Sequence, residues 1–181
     1  MDYKHLSQTV AHALRHEPWV YGLELDAAGW VPVEELLAAL RSKGKSWRGL
    51  GRKDLAAMIE GASKQRFELV GNCIRARYGH SAPGLIERRV VRPPELLFHG
   101  TSPDTWEKVR VEGLRPMGRQ YVHLTADIAA ARSVGERKSS SPVILAIDAA
   151  GAAAGGIDFY EGNDEVWLAL EVPPEFLSRQ Q

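Results

Sequence analysis

The sequence predicts an α+β protein made of two small lobes. The first half of the chain carries apolar residues at helical spacing and ends in two runs that alternate apolar and polar residues. The second half carries short apolar runs separated by helix-start signals, and a stretch rich in glycine and proline divides the two halves. We therefore expect a first lobe over residues 1–80, a linker over 81–95 and a second lobe over 96–181.

Helical spacing predicts three helices in the first lobe. Apolar residues recur at this spacing over 6–14, and Pro18 ends the run. A turn signal follows at 26–29, and Pro32 then begins a second helix with its own apolar face. A third helix is expected over roughly 52–60.

A β-hairpin closes the first lobe. The two alternating runs, 66–70 and 73–77, are joined by Gly71-Asn72, a dipeptide that suits a tight hairpin turn. Three short helices followed by a hairpin are the pattern of a winged helix, although several other small α+β folds share this order of elements.

The second lobe begins with a strand over 96–98 that runs into His99-Gly100-Thr101, which we interpret as a strand-to-helix turn. Ser102 then has the character of a helix N-cap, and Gly113 that of a helix stop. We therefore expect a helix between these two residues.

The rest of the second lobe reads as short strands and one more helix. Apolar runs at 121–124, 142–147 and 166–170 predict strands. Thr125 is expected to cap a helix that continues to about Val134. The small, glycine-rich run 149–156 is interpreted as a loop.

Composition excludes several classes of protein. Apolar residues make up 44% of the 181 residues and charged residues 25%, which is typical of a globular chain rather than a disordered one. No run approaches the ~20 apolar residues of a membrane-spanning helix. A lone Cys73 excludes an intrachain disulfide framework, and the first residues lack the layout of a signal peptide. We expect a cytoplasmic monomer with no membrane partner.

Local charge matters more than total charge, because 23 basic and 23 acidic residues leave a net charge of zero. The segment 41–53 contains six basic residues, one tryptophan and no acid. A solvated loop is the favoured interpretation. The alternative is a segment that binds nucleic acid, in which Trp47 stacks on a base.

Arg15-His16, at the end of the first helix, is a candidate anion site. A cation there also suits the helix dipole, which is the simpler interpretation. An arginine fork matches phosphate geometry, however, and histidine adds a donor or moves a proton. Arg66, at the start of the hairpin, joins this pair only if the hairpin packs beside the first helix.

The second lobe holds further candidates. His99-Gly100-Thr101 precedes a helix start, where phosphate is favoured, but an ordinary turn fits equally well. His123 alternates with apolar neighbours and faces away from them, and Arg119 lies close to it in the chain. The sequence has no P-loop and no dinucleotide fingerprint, so any dinucleotide site belongs to another fold.

Short motifs taken together in chain order are more specific than any one of them. In the first half they are Leu14-Arg15-His16-Glu17-Pro18, Gly22-Leu23-Glu24-Leu25-Asp26, Gly29-Trp30-Val31, Arg66-Phe67-Glu68-Leu69, Ile74-Arg75-Ala76 and Gly79-His80-Ser81. In the second half they are His99-Gly100-Thr101, Gly113-Leu114, Met117-Gly118-Arg119, Val122-His123-Leu124, Val134-Gly135 with Arg137, Asp148, Val166-Trp167-Leu168 and Val172-Pro173. Over nearly its whole length the chain resembles the RNA 2′-phosphotransferase family, also called tRNA 2′-phosphotransferases.

The resemblance implies a winged-helix lobe followed by a lobe of the ADP-ribosyltransferase type, and a part in tRNA splicing. It implies a two-step reaction in which NAD is a co-substrate and no metal is needed. An internal RNA 2′-phosphate attacks the ribose C1 of NAD and expels nicotinamide. The ribose 2-hydroxyl then attacks that phosphorus and releases RNA with a free 2′-OH, together with ADP-ribose 1″,2″-cyclic phosphate.

The resemblance also implies residue roles. Arg15, His16 and Arg66 would hold the 2′-phosphate, and Arg119 would promote the second step. The residues implied to line the NAD site are His99, Gly100, Thr101, His123 and Thr125. Val166 falls where many other ADP-ribosyltransferases have a catalytic glutamate, and an apolar residue suits a phosphate nucleophile that needs no base.

The chain departs from the family pattern at three places. Arg77-Tyr78 stands where Asn-Gln is expected, Lys138-Ser139 where a turn with more glycine is usual, and Thr125 where serine is commoner. Two rival functions stay open at this point. One is an ADP-ribosyltransferase that modifies terminal phosphates of nucleic acids, and the other is a non-catalytic winged-helix protein that senses NAD.

Overall fold

The computed structural model describes residues 1–180, and these divide into two compact units. The first unit is Met1–Glu87 and the second begins at Arg88. Each unit combines helices with small antiparallel sheets and has its own apolar core. The prediction of an α+β class is confirmed.

The first unit contains three helices and three strands. In chain order they are α1 (Tyr3–Ala11), β1 (Trp30–Pro32), α2 (Val33–Lys43), α3 (Arg52–Glu60), β2 (Phe67–Val70) and β3 (Cys73–Ala76). A single π-helical turn (His12–His16) extends α1, and short 3₁₀ turns lie at Pro18–Tyr21 and Lys45–Trp47. The three predicted helices and the hairpin are therefore present at the expected places.

The sheet of the first unit has the order β1-β3-β2, with all strands antiparallel. Gly71 makes the hairpin turn with a positive φ of 53°. The helices cover the apolar face of this sheet because their buried residues recur at helical spacing, as in Leu36, Leu37 and Leu40 of α2. The winged-helix assignment stays a prediction.

Residues after the hairpin pack on the first unit. Ala82 and Ile86 are only 7% and 6% exposed, and the Glu87 amide donates to the carbonyl of Ala27. The division between the units therefore falls within the stretch 81–95, where a linker was expected.

The second unit has three helices and six strands. They are β4 (Leu96–Thr101), α4 (Pro103–Glu112), β5 (Val122–Leu124), α5 (Ile128–Gly135), β6 (Val143–Asp148), α6 (Ala149–Ala154), β7 (Phe159–Glu161), β8 (Trp167–Ala169) and β9 (Leu177–Arg179). They form two antiparallel sheets with the orders β4-β6-β9 and β5-β8-β7. Phe98 and Thr125 pair through both backbone hydrogen bonds and so connect the two sheets.

Three local predictions in the second unit are wrong. His99-Gly100-Thr101 is not a turn but the end of β4, paired with β6 along its length. The run after Asp148 is not a loop, since α6 forms there and the Asp148 carboxylate accepts from the Gly151 amide. Asp127, not Thr125, caps α5, because the Thr125 backbone is already engaged with Phe98.

Within residues 1–180, no helix is long and apolar enough to cross a membrane.

Candidate functional site

The end of the first helix departs from regular α-helix at the residues of interest. After Ala11 the chain makes one π-helical turn that ends at His16, and the Glu17 amide donates to the carbonyl of His12. Single π-helical turns are rare in proteins, and many of those that occur lie at functional sites. They change the direction of the side chains relative to a regular α-helix. Arg15 and His16 both leave the helix from this turn.

The guanidinium of Arg15 contacts two aromatic rings. Its central carbon lies 5.5 Å from the ring centroid of Phe67 and 5.1 Å from that of Tyr78. Gly79 lies against the same side chain: a Cβ there would be 3.3 Å from Arg15 Nη1. These contacts fix the orientation of the guanidinium without a covalent or metal link.

Hydrogen bonds connect this arginine to the hairpin. Arg15 Nη2 donates to the carbonyl of Arg66 at 3.3 Å, although the two residues lie 51 positions apart in the chain. The same carbonyl accepts from the Arg77 amide at 2.9 Å. The hairpin therefore does pack beside the first helix, which was the condition for bringing Arg66 next to Arg15.

His16 is held from the segment after the hairpin. Its Nδ1 lies 2.7 Å from Ser81 Oγ, and the amides of Ser81 and Ala82 both donate to the carbonyl of Arg15. Arg15, His16 and Arg66, together with Tyr78 and Ser81, form what we call the arginine cluster. Its members come from the π-turn, the position directly before β2 and the segment after β3.

Sequence reasoning missed the aromatic part of this cluster. In the sequence Tyr78 stands out only as a departure from a family pattern, and Phe67 only as part of the motif Arg66-Phe67-Glu68-Leu69. A clue exists in the alternation of β2, which places Phe67 on the buried face at the first position after Arg66. Nothing in the sequence indicates that Tyr78 stacks on Arg15.

In the second unit, His99 is bound through its ring. Its Nδ1 lies 2.9 Å from the carbonyl of His123, so Nδ1 carries the proton and Nε2 is left as an acceptor in the neutral ring. The pKa of His99 is lowered to about 4: burial is the largest cause, the charges of Lys138 and Arg119 act in the same direction, and the hydrogen bond to His123 opposes them. His99 is therefore neutral at pH 7.

Arg119 and Lys138 surround the two histidines with positive charge. Arg119 Nη1 lies 3.2 Å from His123 Nδ1, which must accept, so the proton of the neutral His123 ring is on Nε2. Lys138 Nζ donates to the carbonyl of Gly100 at 3.4 Å. Burial, followed by the charge of Arg119, lowers the pKa of Lys138. We call His99, Arg119, His123 and Lys138 the histidine cluster.

The other residues expected at the NAD site lie around this cluster. Gly100 is packed under α5, where a Cβ would come 1.9 Å from the carbonyl of Ala131, so helix packing requires glycine at this position. Thr101 is fully buried, and its hydroxyl has no hydrogen-bond partner within the described residues. Thr125 Oγ1 accepts from the Asp127 amide at 3.1 Å.

Val166 lies directly before β8, in a turn organised by Asn163. The Asn163 side-chain oxygen accepts from the amides of Glu165 and Val166 at 3.0 and 2.8 Å.

No group of three or more histidine, cysteine or acidic residues within residues 1–180 is arranged to hold a metal ion.

Comparison with known proteins identifies the family. Residues 2–171 match the family model described as RNA 2′-phosphotransferase, Tpt1/KptA family. A probable RNA 2′-phosphotransferase of Acetivibrio thermocellus is 48% identical over 177 residues, covering 98% of this chain and 97% of that protein. One of Bacillus thuringiensis subsp. konkukian is 49% identical over 176 residues, covering 97% and 95%. One of Nostoc punctiforme is 39% identical over 176 residues, covering 96% and 95%. The chain belongs to the RNA 2′-phosphotransferase family, whose members are transferases that act on RNA.

Proposed function

We propose that this chain removes an internal 2′-phosphate from RNA by transferring it to NAD. The products are RNA with a free 2′-OH, nicotinamide and ADP-ribose 1″,2″-cyclic phosphate, and the intermediate is ADP-ribosylated RNA. In this proposal the first unit is a winged-helix RNA-binding lobe, and the second is an NAD-binding lobe of the ADP-ribosyltransferase type.

The meeting of Arg15 and Arg66 in one cluster is the observation that carries the proposal. The guanidinium of Arg15 and the ring of His16 leave one turn, and the backbone of Arg66 is hydrogen-bonded directly to Arg15. In this proposal the guanidinium of Arg66 joins them, so that two forked donors and a ring donor bind a phosphate dianion. The two rings beside Arg15 fix its guanidinium before the substrate arrives, so less side-chain entropy is lost on binding.

The histidine cluster supports NAD as the second substrate. The charge of Arg119 is among the causes that lower the pKa of Lys138 and of His99, so the positive charges of this cluster lie close to one another. A dinucleotide with two phosphates suits such a site. The Nε2 of the neutral His99 ring is left as an acceptor, which suits a polar group of the dinucleotide.

The two steps make different demands on the protein. In the first, an oxygen of the 2′-phosphate bonds to the ribose C1 while the bond to nicotinamide breaks, and Arg15, His16 and Arg66 position the phosphate. This nucleophile is already an anion, so the apolar Val166 supplies no base and none is required. In the second, the ribose 2-hydroxyl bonds to phosphorus while the bond to the RNA 2′-oxygen breaks, and Arg119 stabilises the charge on the phosphoryl oxygens.

The first test is a phosphate-release assay. An oligonucleotide with one internal 2′-phosphate is incubated with the protein, with and without NAD. We expect loss of the 2′-phosphate only with NAD, together with the cyclic phosphate product in equal amount. ADP-ribose that stays attached to the nucleic acid would instead indicate an enzyme that stops after the first step. If no reaction occurs even at high protein concentration, the result favours the rival function of a non-catalytic protein that senses NAD.

Substitution of Arg119 separates the two steps. Arg119→Ala should slow the second step by roughly 100-fold or more, the scale expected when one donor to a developing charge is lost, so that ADP-ribosylated RNA accumulates. Arg115→Ala is the matched control, because this exposed arginine lies in the same loop and makes no ion pair within the described residues. If the intermediate does not rise above the wild-type level, the assigned role of Arg119 is wrong.

A further inference from the structure

The 3₁₀ turn Pro18–Tyr21 exposes two large apolar side chains. Trp19 is 56% exposed and Val20 is 45% exposed, whereas Pro18 is buried. A 3₁₀ turn has three residues per turn, so Pro18 and Tyr21 lie on one side and the two residues between them lie on the other. The indole therefore faces solvent because of the geometry of the turn.

Contacts around Tyr21 fix this turn in place. Tyr21 Oη lies 3.2 Å from His12 Nδ1, and the two rings meet edge to face with centroids 5.7 Å apart. Lys43 Nζ lies 5.1 Å from the centre of the Tyr21 ring and also donates to the carbonyl of Val20 at 2.9 Å. The exposed Trp19 is thus fixed beside the first residues of the basic segment 41–53.

The basic segment is anchored rather than a loose loop. Trp47 is only 6% exposed and stacks on His5, with ring centroids 5.2 Å apart. The suggestion that Trp47 stacks on a base is therefore wrong. Arg41 Nε donates to the carbonyl of Leu50 at 2.9 Å, which closes the segment on itself.

The positive charge of this segment is scarcely offset by acids. Its only ion pair within the described residues joins Arg41 to Glu34 at 3.9 Å, a long and exposed contact that contributes little. Lys45, Arg48 and Lys53 are exposed and make no ion pair there. The segment therefore carries exposed cations that make no ion pair, and its Lys43 is hydrogen-bonded to the turn that exposes the indole.

We infer that Trp19 and the segment 41–53 form a binding surface for the single-stranded RNA next to the 2′-phosphate, with the indole stacking on a base and the cations contacting phosphates. This combination of an aromatic platform and uncompensated cations is what proteins use to bind single strands without sequence preference. Trp19 also follows Arg15 and His16 by only a few residues, so the surface begins near the arginine cluster. The inference deepens the proposed function, on which it rests for the identity of the substrate.

The test compares two substrates that differ in length. One is a dinucleotide with the 2′-phosphate, and the other is a single strand of roughly ten nucleotides, which lies within the usual site size of such surfaces. The wild-type protein should have a higher kcat/KM for the longer strand. Trp19→Ala should reduce this advantage roughly 5- to 150-fold, the effect of losing one base stack, and Trp19→Phe should restore most of it.

Salt dependence tests the cations separately. Each phosphate contact on a single strand contributes about 0.7 to the slope of log affinity against log salt, so Lys45→Ala with Arg48→Ala should lower that slope by about 1.4. Lys108→Ala with Arg110→Ala on α4 removes the same two charge types from another exposed surface and should leave the slope as in the wild type.

The results separate this inference from the proposed function. Failure of the wild-type protein to release phosphate from either substrate contradicts the proposed function. The inference is overturned if Trp19→Ala removes the 2′-phosphate at the normal rate and keeps the wild-type ratio of kcat/KM between the longer strand and the dinucleotide. The exposed indole would then bind a partner other than RNA. A loss in Trp19→Phe as large as in Trp19→Ala would overturn the stacking role.

Discussion

Single residues in the arginine cluster show how a cation can be placed ready for phosphate. A guanidinium is weakly hydrated and planar, so it can lie against aromatic rings while its N–H groups stay available at the edge. The guanidinium of Arg15 lies against the rings of Phe67 and Tyr78, and its Nη2 donates to the carbonyl of Arg66. The guanidinium is thereby held in one orientation that a flexible side chain reaches only at a cost in entropy.

Tyr78 is the residue whose contribution can be measured most directly. Tyr78→Ala removes one ring from Arg15 and should weaken binding of 2′-phosphorylated RNA about 2- to 30-fold, the range that corresponds to one cation–π contact. The KM for NAD should not change. The measurement is the dissociation constant for an oligonucleotide with the 2′-phosphate and for the same oligonucleotide without it.

Tyr78→Phe is the matched control, since it keeps the ring and removes only the hydroxyl. Equal loss in Tyr78→Phe and Tyr78→Ala would show that the hydroxyl matters rather than the ring. An equal loss for the oligonucleotide without the 2′-phosphate would contradict a role at the phosphate.

For single residues, the sequence indicates which side chains can bind a ligand better than it indicates which side chains lie close together. The alternation of His123 with apolar neighbours correctly predicts its side, because the strand period is fixed by the backbone. The contact between Arg15 and Arg66 depends on how the hairpin packs against the first helix, which no local pattern encodes. Lys138 reaches Gly100 across 38 positions for the same reason.

Elements show where local signals are overridden by packing. His99-Gly100-Thr101 looks like a turn because glycine is common in turns and a helix start follows. In the structure β6 continues the ladder to Thr101, and α5 lies directly on Gly100. Glycine is needed there for the close approach of a helix to a strand, which is a long-range requirement.

The helix α6 also forms where a loop was expected. It forms because Asp148 caps it, and alanine supports a helix even beside glycine.

Gly100→Ala tests the packing of α5 on β4. A Cβ would lie 1.9 Å from the carbonyl of Ala131 and 2.7 Å from the amide of Gly135, so the helix must shift. We expect a loss of about 3 kcal/mol in the free energy of unfolding, at the upper end of the range for overpacking. Urea unfolding followed by circular dichroism measures it.

Gly118→Ala is the control for this substitution. Gly118 is exposed and has no positive φ, and a Cβ added there would meet no atom within 4 Å. Its replacement should therefore change the free energy of unfolding by less than about 0.5 kcal/mol. Equal stability of the two variants would mean that α5 does not pack on Gly100 as described.

At the scale of the whole molecule, two separate cores explain why the sequence pattern changes character halfway along the chain. The first core is built on helix faces and one hairpin, and the second on short strands, so each half has its own periodicity. This is why an α+β class in two parts could be predicted. The place where one unit ends was harder to predict, since glycine and proline mark irregular backbone whether or not it packs on a core.

Truncation decides where the first unit ends. A fragment Met1–Glu87 keeps the buried side chains of Ala82 and Ile86 and the amides of Ser81 and Ala82 that donate to the carbonyl of Arg15. A fragment of residues 1–80 lacks all of them. Because burying an isoleucine side chain alone contributes about 1.5–3 kcal/mol, the shorter fragment should be less stable by at least about 2 kcal/mol in urea unfolding.

The longer fragment should also unfold cooperatively by itself, since its core is complete without the second half of the chain. Absence of a cooperative transition would show that the first unit depends on the second for its fold. Equal stability of the two fragments would instead place residues 81–87 outside the first unit.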